Sequence, residues 1–333
     1  MAEKIEILSL EFFDTYRDEM GIVERMQRHF NQGIGWHYYL DLAWMVREIR
    51  GLPKGSLILD AGAGGGGGLA QFILAELGYN VISADFASRV FTRRQMKKYA
   101  PVIHYLNGQG EVFDNRYTRH LEKARNIQPA RQAGAVKKIL GLFGRGAENP
   151  YNPGENAAAV IEKNRRRPKN APPADIPLKN IAGDCGRIFL YKCDLKDMPL
   201  LPDGLVDGVV SISALEHNDQ GDFEKCVDEI LRVTKPGGVL AITVSASQGG
   251  DWLHEPSQGW CYSEATLKKL FRLPEAAPGN YGDRERLFEL LKKEGNELHK
   301  RLAPVYFKSG DNGMPWGRWD PKYQPVGVVK IKD

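Results

Sequence analysis

The apolar positions of this 333-residue chain change rhythm several times. In residues 36–50, WHYYLDLAWMVREIR, Trp36, Tyr39, Leu40, Ala43, Val46 and Ile49 fall near helical spacing. This predicts an amphipathic helix ended by Gly51 and Pro53. From residue 57 the pattern differs. Leu57, Ile58 and Leu59 form a short apolar run, a glycine run follows, and a helical period over 69–77 stops at Gly78. Residues 81–84 read as a second strand ending in Asp85, and 88–99 as a helix. Strand, helix, strand with short connections predicts a parallel α/β sheet.

The rhythm breaks off over residues 104–185, where Pro, Gly, Asn and basic clusters such as KNRRRPKNAPP (163–173) dominate. Only 116–127 and 130–143 read as helices. The stretch is too long for a plain loop and reads as an insertion, partly helical and basic. Strand, strand, helix and strand patterns resume at 187–193, 206–213, 223–234 and 239–245, with Lys235–Pro236–Gly237–Gly238 as a turn. Helices are expected at 264–271 and 283–302, and terminal strands near 305–308 and 326–331. The organisation expected is an N-terminal helical cap (1–54), a main α/β domain in two pieces (55–103 and 186–333), and the insertion (104–185).

Composition and charge narrow this picture. An apolar fraction of 42 % is ordinary for a soluble globular protein. No apolar run is long enough to span a membrane, and MAEKIEILSLEFFD does not read as a secretion signal. Cys185, Cys193, Cys226 and Cys261 form no CxxC pair and no metal-ligand spacing, so a reduced, cytoplasmic setting without a metal is expected. Net charge is +4, yet residues 101–185 carry 14 Lys/Arg against 8 Asp/Glu. One segment, not the whole chain, is suited to an anionic partner.

The glycine loop carries the chemistry. In LILDAGAGGGGGLAQFILAELG (57–78), a strand-to-helix turn without side chains exposes backbone N–H groups at a helix N-terminus. Dinucleotides and S-adenosylmethionine (SAM) both use such a turn. Gly62, Gly64 and Gly67 match the dinucleotide spacing, but in so glycine-rich a run that match is weak. Asp60 discriminates: its carboxylate would repel a pyrophosphate and attract the ammonium and sulfonium of SAM. Asp85, ending the second strand, suits two ribose hydroxyls. Asp194, in YKCDLKDMPL, suits an exocyclic adenine amine. Taken singly, Asp60 as a helix N-cap, Asp85 as a cap and Asp194 as a surface partner of Lys196 are the plain alternatives.

These stretches, with VISADF (81–86), DGVVSISALEHND (207–219) and EILRVTKPGGVLAIT (229–243), resemble the class I SAM-dependent methyltransferases. The resemblance covers about 55–100 and 186–245. It implies a Rossmann-like α/β fold, with a seven-stranded, mostly parallel sheet whose last strand is antiparallel and helices on both faces. It also implies SAM contacts at Asp60, Gly62, Gly64, Asp85, Phe86, Asp194 and Leu195, with Ser213 and Ala214 under the methionine moiety. SALEHND resembles the LEH-type ending of small-molecule members. His217 is the candidate base, since an imidazole exchanges its proton near neutral pH, and Glu216 is placed to orient it or to contact the cofactor. The alternative for His217 is packing beneath the adenine or capping the helix near 222. The segment lacks the proline turn used for base-amine and glutamine methylation.

The acceptor side is less defined. WLHEPSQGW (252–260) and GMPWGRW (313–319) hold four of the six tryptophans. Trp252, His254, Trp260 and Trp316, with His37, are candidate acceptor contacts, suited to sugar rings or flat polar molecules. The alternative is that the indoles anchor long loops. These tryptophan-rich loops resemble those of methyltransferases associated with bacterial surface polysaccharides. RQAGAVKKILGLFGR (131–145) has a basic amphipathic helical pattern, fit for an inner-membrane surface and a lipid-linked acceptor, or for packing on its own domain. The expected activity is methyl transfer to a small molecule or glycan, preferentially at oxygen, with nucleic acid disfavoured as a partner. The alternatives are an RNA or protein methyltransferase using the basic insertion, and a SAM-binding sensor or scaffold without turnover. An NAD-dependent oxidoreductase fits least, for want of a Tyr-x-x-x-Lys pair.

Overall fold

Short apolar runs separated by turn residues become strands, and the helical periods between them become the covering layers. The computed structural model describes residues 2–30, 34–64, 68–87, 91–106, 185–302 and 319–333. In chain order its elements are β1 (Lys4–Ile7), α1 (Phe12–Thr15), α2 (Arg17–Phe30), α3 (Tyr38–Ile49), β2 (Leu57–Ala61), α4 (Leu69–Glu76), β3 (Asn80–Asp85), α5 (Arg93–Tyr99), β4 (Ile103–Tyr105), β5 (Ile188–Lys192), β6 (Val206–Ile212), α6 (Gln220–Val233), β7 (Thr234–Ala246), β8 (Trp252–His254), β9 (Gly259–Tyr262), α7 (Glu264–Leu270), α8 (Arg284–Lys292), α9 (Glu297–Leu302) and β10 (Gln324–Ile331).

The sheet runs β1-β10-β7-β6-β2-β3-β5-β4. β2 pairs in parallel with β3 and β6, β3 with β5, β5 with β4, and β6 with β7. β10 is antiparallel to β7, and β1 is antiparallel to β10 at the edge. The expected antiparallel last strand is therefore present. The expected count of seven is corrected to ten among the described residues. β1 supplies an edge from within the stretch read as a helical cap, β4 extends the other edge, and the β8–β9 hairpin hangs on the end of β7.

Consecutive strand residues face opposite cores, as a sheet buried on both faces requires. Ile58, Val81 and Val210 pack in one cluster with α2, α3 and α4, while Leu59, Ile82 and Val209 pack in the other with α6. α2 offers Met20, Val23, Met26 and Phe30 to the first core at near-helical intervals. Where α3 crosses β10, Trp44 lies flat on Gly327. A Cβ at 327 would stand 2.4 Å from the indole, so that contact requires glycine.

Two other expectations shift. The turn at Lys235–Gly238 is absorbed into the long β7, with Gly237 at φ +75°. The helix expected over 283–302 is two helices, separated where Gly295 takes φ +77°. The readings at 116–127, 130–143, 305–308 and 131–145, and the basic cluster at 163–173, lie outside the described residues.

Candidate functional site

At the carboxyl ends of β2 and β6 the strand order reverses: β3 lies on one side of β2 and β6 on the other. Open α/β sheets bind ligands at such a switch point. A cavity of about 620 Å³ opens there. Its wall includes Asp60, Gly62, Gly64, Asp85, Phe86, Asp194, Leu195, Ser213 and Ala214, so all nine expected cofactor contacts surround one space. Ile34, Gly35, Tyr38 and Leu42, in and just before α3, and His217 and Asn218, after β6, complete the wall.

Backbone geometry explains the glycines. Gly62 and Gly64 take φ +81° and +72°, in the left-handed region that side chains disfavour. A Cβ on Gly62 would also approach Ala214 Cβ to 2.5 Å, closing the gap between the loop and the end of β6. Among the described residues a Cβ on Gly64 would meet nothing within 4 Å, so the main chain at Gly64 presents no side chain to the cavity. α4 begins at Gly68 without a side-chain cap, which removes the N-cap alternative for Asp60. Asp60 is instead buried at the cavity wall.

Asp85 is 6 % exposed and holds the loop together. Its Oδ2 accepts from Gly64 N–H at 2.8 Å and its Oδ1 from Ala87 N–H at 2.7 Å. Each carboxylate oxygen has two lone pairs, so acceptor capacity remains for a ligand's hydroxyls. Asp194 combines two roles. It borders the cavity, and it also bonds Lys196 N–H at 3.0 Å and pairs with the Lys196 ammonium at 3.5 Å. Phe86 is 80 % exposed, an aromatic face turned out of the core beside the cavity.

The charge balance of this wall is one-sided. It carries three carboxyl groups and, among the described residues, no lysine or arginine. Such a wall favours a cationic ligand and opposes a pyrophosphate. The residues present therefore fit SAM.

At the end of β6 the chain turns sharply. Ser213 sits at φ +49°, and Leu215–His217 form one 3₁₀ turn. Asp219 caps α6 by accepting from Asp222 N–H at 2.8 Å, so His217 is not the helix cap. The imidazole reaches the cavity, and its Nδ1 lies 3.1 Å from the Gln258 carbonyl oxygen. A carbonyl can only accept, so Nδ1 carries the proton and Nε2 is left as the basic nitrogen. Gln258 holds that carbonyl in a turn at φ +54°, braced by Gln258 N–H on Glu255 O at 3.2 Å. Glu216 hydrogen-bonds Ser213. It is buried, and its Oε1 is the acceptor, 2.5 Å from Ser213 Oγ. Burial raises its carboxyl above the ordinary range, opposed by the His217 charge beside it.

None of the described acceptor candidates lies on the cavity wall. His37 is buried one layer back, bonded to Asp41 through Nδ1, with its ring stacked at 4.7 Å on Tyr38, which does line the cavity. His254 is buried, with Nδ1 2.7 Å from Ser257 Oγ. Burial pushes its imidazole below the usual range, and Lys322 adds to this. Trp252 is partly exposed and meets His254 edge-on, and Trp260 packs against the second core. Trp316 lies outside the described residues. Sequence reasoning missed Asp41 and Tyr323. Asp41 had a local signal, its i+4 spacing from His37. Tyr323 had none, since its hydroxyl meets His37 Nε2 at 3.4 Å across 286 positions.

Residues 158–242 match the family model of a methyltransferase domain. The match takes in β5, β6, α6 and most of β7, and does not include the glycine loop. No curated protein matches the chain. Similar solved structures include the Burkholderia thailandensis 1,6-didemethyltoxoflavin-N1-methyltransferase (13 % identity, 97 % of this chain and 85 % of that one, TM-score 0.39). Another is the Haemonchus contortus phosphoethanolamine N-methyltransferase 2 with SAM (17 % identity, 97 % of this chain and 59 % of that one, TM-score 0.44). With a methyltransferase domain matched through its central strands, and a carboxylate-lined cavity at the sheet's switch point, the chain carries a methyltransferase domain whose cavity residues fit SAM.

Proposed function

We propose that this methyltransferase acts on a small-molecule or glycan acceptor, at oxygen in preference to nitrogen, with His217 taking the acceptor's proton. The observation that carries the reading is the His217 imidazole at the cavity wall, its Nδ1 tied to the Gln258 carbonyl. A hydroxyl is a poor nucleophile until its proton leaves, and a positioned base supplies typically about 10²–10⁴-fold. The turn of Glu255–Gln258 fixes the tautomer, so the basic nitrogen is presented without a search over ring orientations.

SAM, when bound, supplies a methyl group already activated on a sulfonium. The residues that would hold it are the backbone of Gly62 and Gly64, the carboxylates of Asp60, Asp85 and Asp194, the Phe86 ring, and Leu195, Ser213 and Ala214. What remains for the protein is alignment and exclusion of water, and alignment is worth up to about 7–11 kcal/mol. A cavity of about 620 Å³ is of the size that takes small ligands. The exposed indole of Trp252, on the β8–β9 hairpin, suits a sugar ring, which supports the glycan form of the reading.

The test is to incubate the protein with isotopically labelled SAM and the small-molecule fraction of a bacterial extract, then identify the labelled product by mass spectrometry. An O-methylated small molecule or glycan is expected. A product labelled at nitrogen, or label found only in RNA or protein, would overturn the reading.

A further inference from the structure

Behind the wall that Ser213 and His217 present to the cavity lies a second layer of buried polar groups. Glu216 is at its centre, 1 % exposed. One carboxyl oxygen accepts from Ser213 Oγ at 2.5 Å, while Oε2 has no hydrogen-bond partner among the described residues. The positive charges its carboxyl senses are the imidazoles of His217 and His37, with no ammonium or guanidinium among the leading influences. Its carboxyl is coupled electrostatically to three separate stretches. His37 stands ahead of α3, Cys261 and Tyr262 lie on β9, and Tyr323 precedes β10; the Glu216 charge acts on all three of the latter. Tyr323 links to His37, and His37 to Asp41. Asp41 is fully buried, and its Oδ1 also lacks a hydrogen-bond partner among the described residues.

A buried polar atom without a partner costs about 1–3 kcal/mol. Two such oxygens in one layer, from α3 and from the turn after β6, are not needed to hold the sheet together. Both cores are closed by apolar side chains. We propose that this layer is the acceptor-recognition end of the site, where Glu216 Oε2 exchanges a hydrogen bond with a hydroxyl of the bound acceptor and holds it beside His217. The inference rests on the small-molecule acceptor reading above and adds the chemistry of recognition. Burial favours the neutral acid in Glu216, and a neutral acid both accepts and donates, as a hydroxyl does. A phosphate or carboxylate would need a cation, and this layer presents two carboxyl groups. The acceptor therefore shows hydroxyls at this end, and any anionic group it carries lies outward.

The experiment compares the full chain with Glu216→Met and Glu216→Gln. It measures the thermal midpoint, SAM affinity by calorimetry, and label transfer into the small-molecule fraction of a bacterial extract. Glu216→Met should leave the midpoint within about 2 °C, since losing the bond from Ser213 Oγ is offset by removing a buried oxygen that has no partner among the described residues. It should keep SAM affinity within twofold and lose at least tenfold in transfer. Glu216→Gln, uncharged and still able to donate, should transfer within about threefold of the parent. A midpoint lowered by more than that in the Met variant would make Glu216 structural. Unchanged transfer, a Gln variant as weak as the Met variant, or a loss of SAM affinity would each also overturn the proposal. A parent protein that binds SAM but transfers nothing would instead defeat the acceptor reading beneath it.

Discussion

Asp85→Ala perturbs two things at once, and the structure separates them. The carboxylate sits at the end of β3 and receives Gly64 N–H at 2.8 Å and Ala87 N–H at 2.7 Å. Hydrogen bonds to a charged group contribute about 1.5–3 kcal/mol each when water cannot replace them. Both N–H groups border an open cavity, so water can replace much of that contribution. A net loss of roughly 2 kcal/mol is expected, which in a chain of this size lowers the melting midpoint by roughly 3 °C. SAM affinity falls for a second reason, the loss of a charged acceptor facing the ligand's hydroxyls. One such interaction, at about 1.5–3 kcal/mol, corresponds to roughly 10- to 150-fold in the dissociation constant. Asp85→Asn keeps one oxygen and replaces the other by a donor, so it should fall between Ala and the parent in both measurements. Titration calorimetry with SAM and differential scanning fluorimetry on the same samples read the two effects apart. A lowered midpoint with affinity unchanged within twofold would reduce Asp85 to a loop staple and refute the placement of the ligand's hydroxyls. An unchanged midpoint would refute the staple.

Three further outcomes are expected. His217→Ala should reduce turnover by about 10²–10⁴-fold in a labelled-methyl assay while SAM affinity stays within twofold, and unaffected turnover would make the imidazole structural. Gly327→Ala should cost about 1–3 kcal/mol in urea denaturation, because the new methyl meets the Trp44 indole. Adding Trp44→Phe should recover part of that loss, and strict additivity of the two changes would refute the clash. The third concerns pH. An unfolded imidazole titrates near 6.5, while that of His254 is lowered in the fold by burial and by Lys322. The folded state therefore binds fewer protons. The contribution of His254 is complete above about pH 6.5 and is lost as pH falls from there through the lowered folded value. Melting midpoints taken from about pH 7.5 to about pH 5 should decline, and His254→Gln should flatten the decline; equal slopes would exclude His254 as the group involved.

Much of the fold was legible in local pattern. Apolar runs bounded by glycine and acid located β2, β3, β5 and β6, because a strand buried on both faces leaves no room for polar alternation. The bare loop at Gly62 and Gly64 and the acids at 60, 85 and 194 marked one crevice, because each ends a strand and parallel strands end on the same side. That β1 would leave the N-terminal stretch to form the sheet's edge was not legible. Four residues, KIEI, hold too short a pattern, and their pairing partner β10 lies more than 300 positions away.

The amino-acid order by itself determined the chemistry available and the elements that carry it: glycines where backbone must lie bare, carboxylates where a cation is to be met, and a histidine after the fourth strand of the Rossmann pattern. Only the tertiary structure decided which of those groups face one another. His217 owes its tautomer to the carbonyl of Gln258, and His37 its place to Asp41 on one side and Tyr323 on the other. Of the residues that read as acceptor contacts, His37 was drawn into a second layer and Trp260 against a core. The reason is one of range. Periodicity and turn chemistry act over a few residues, whereas the site is assembled by packing across hundreds, where a side chain's neighbours depend on how two cores close around the sheet.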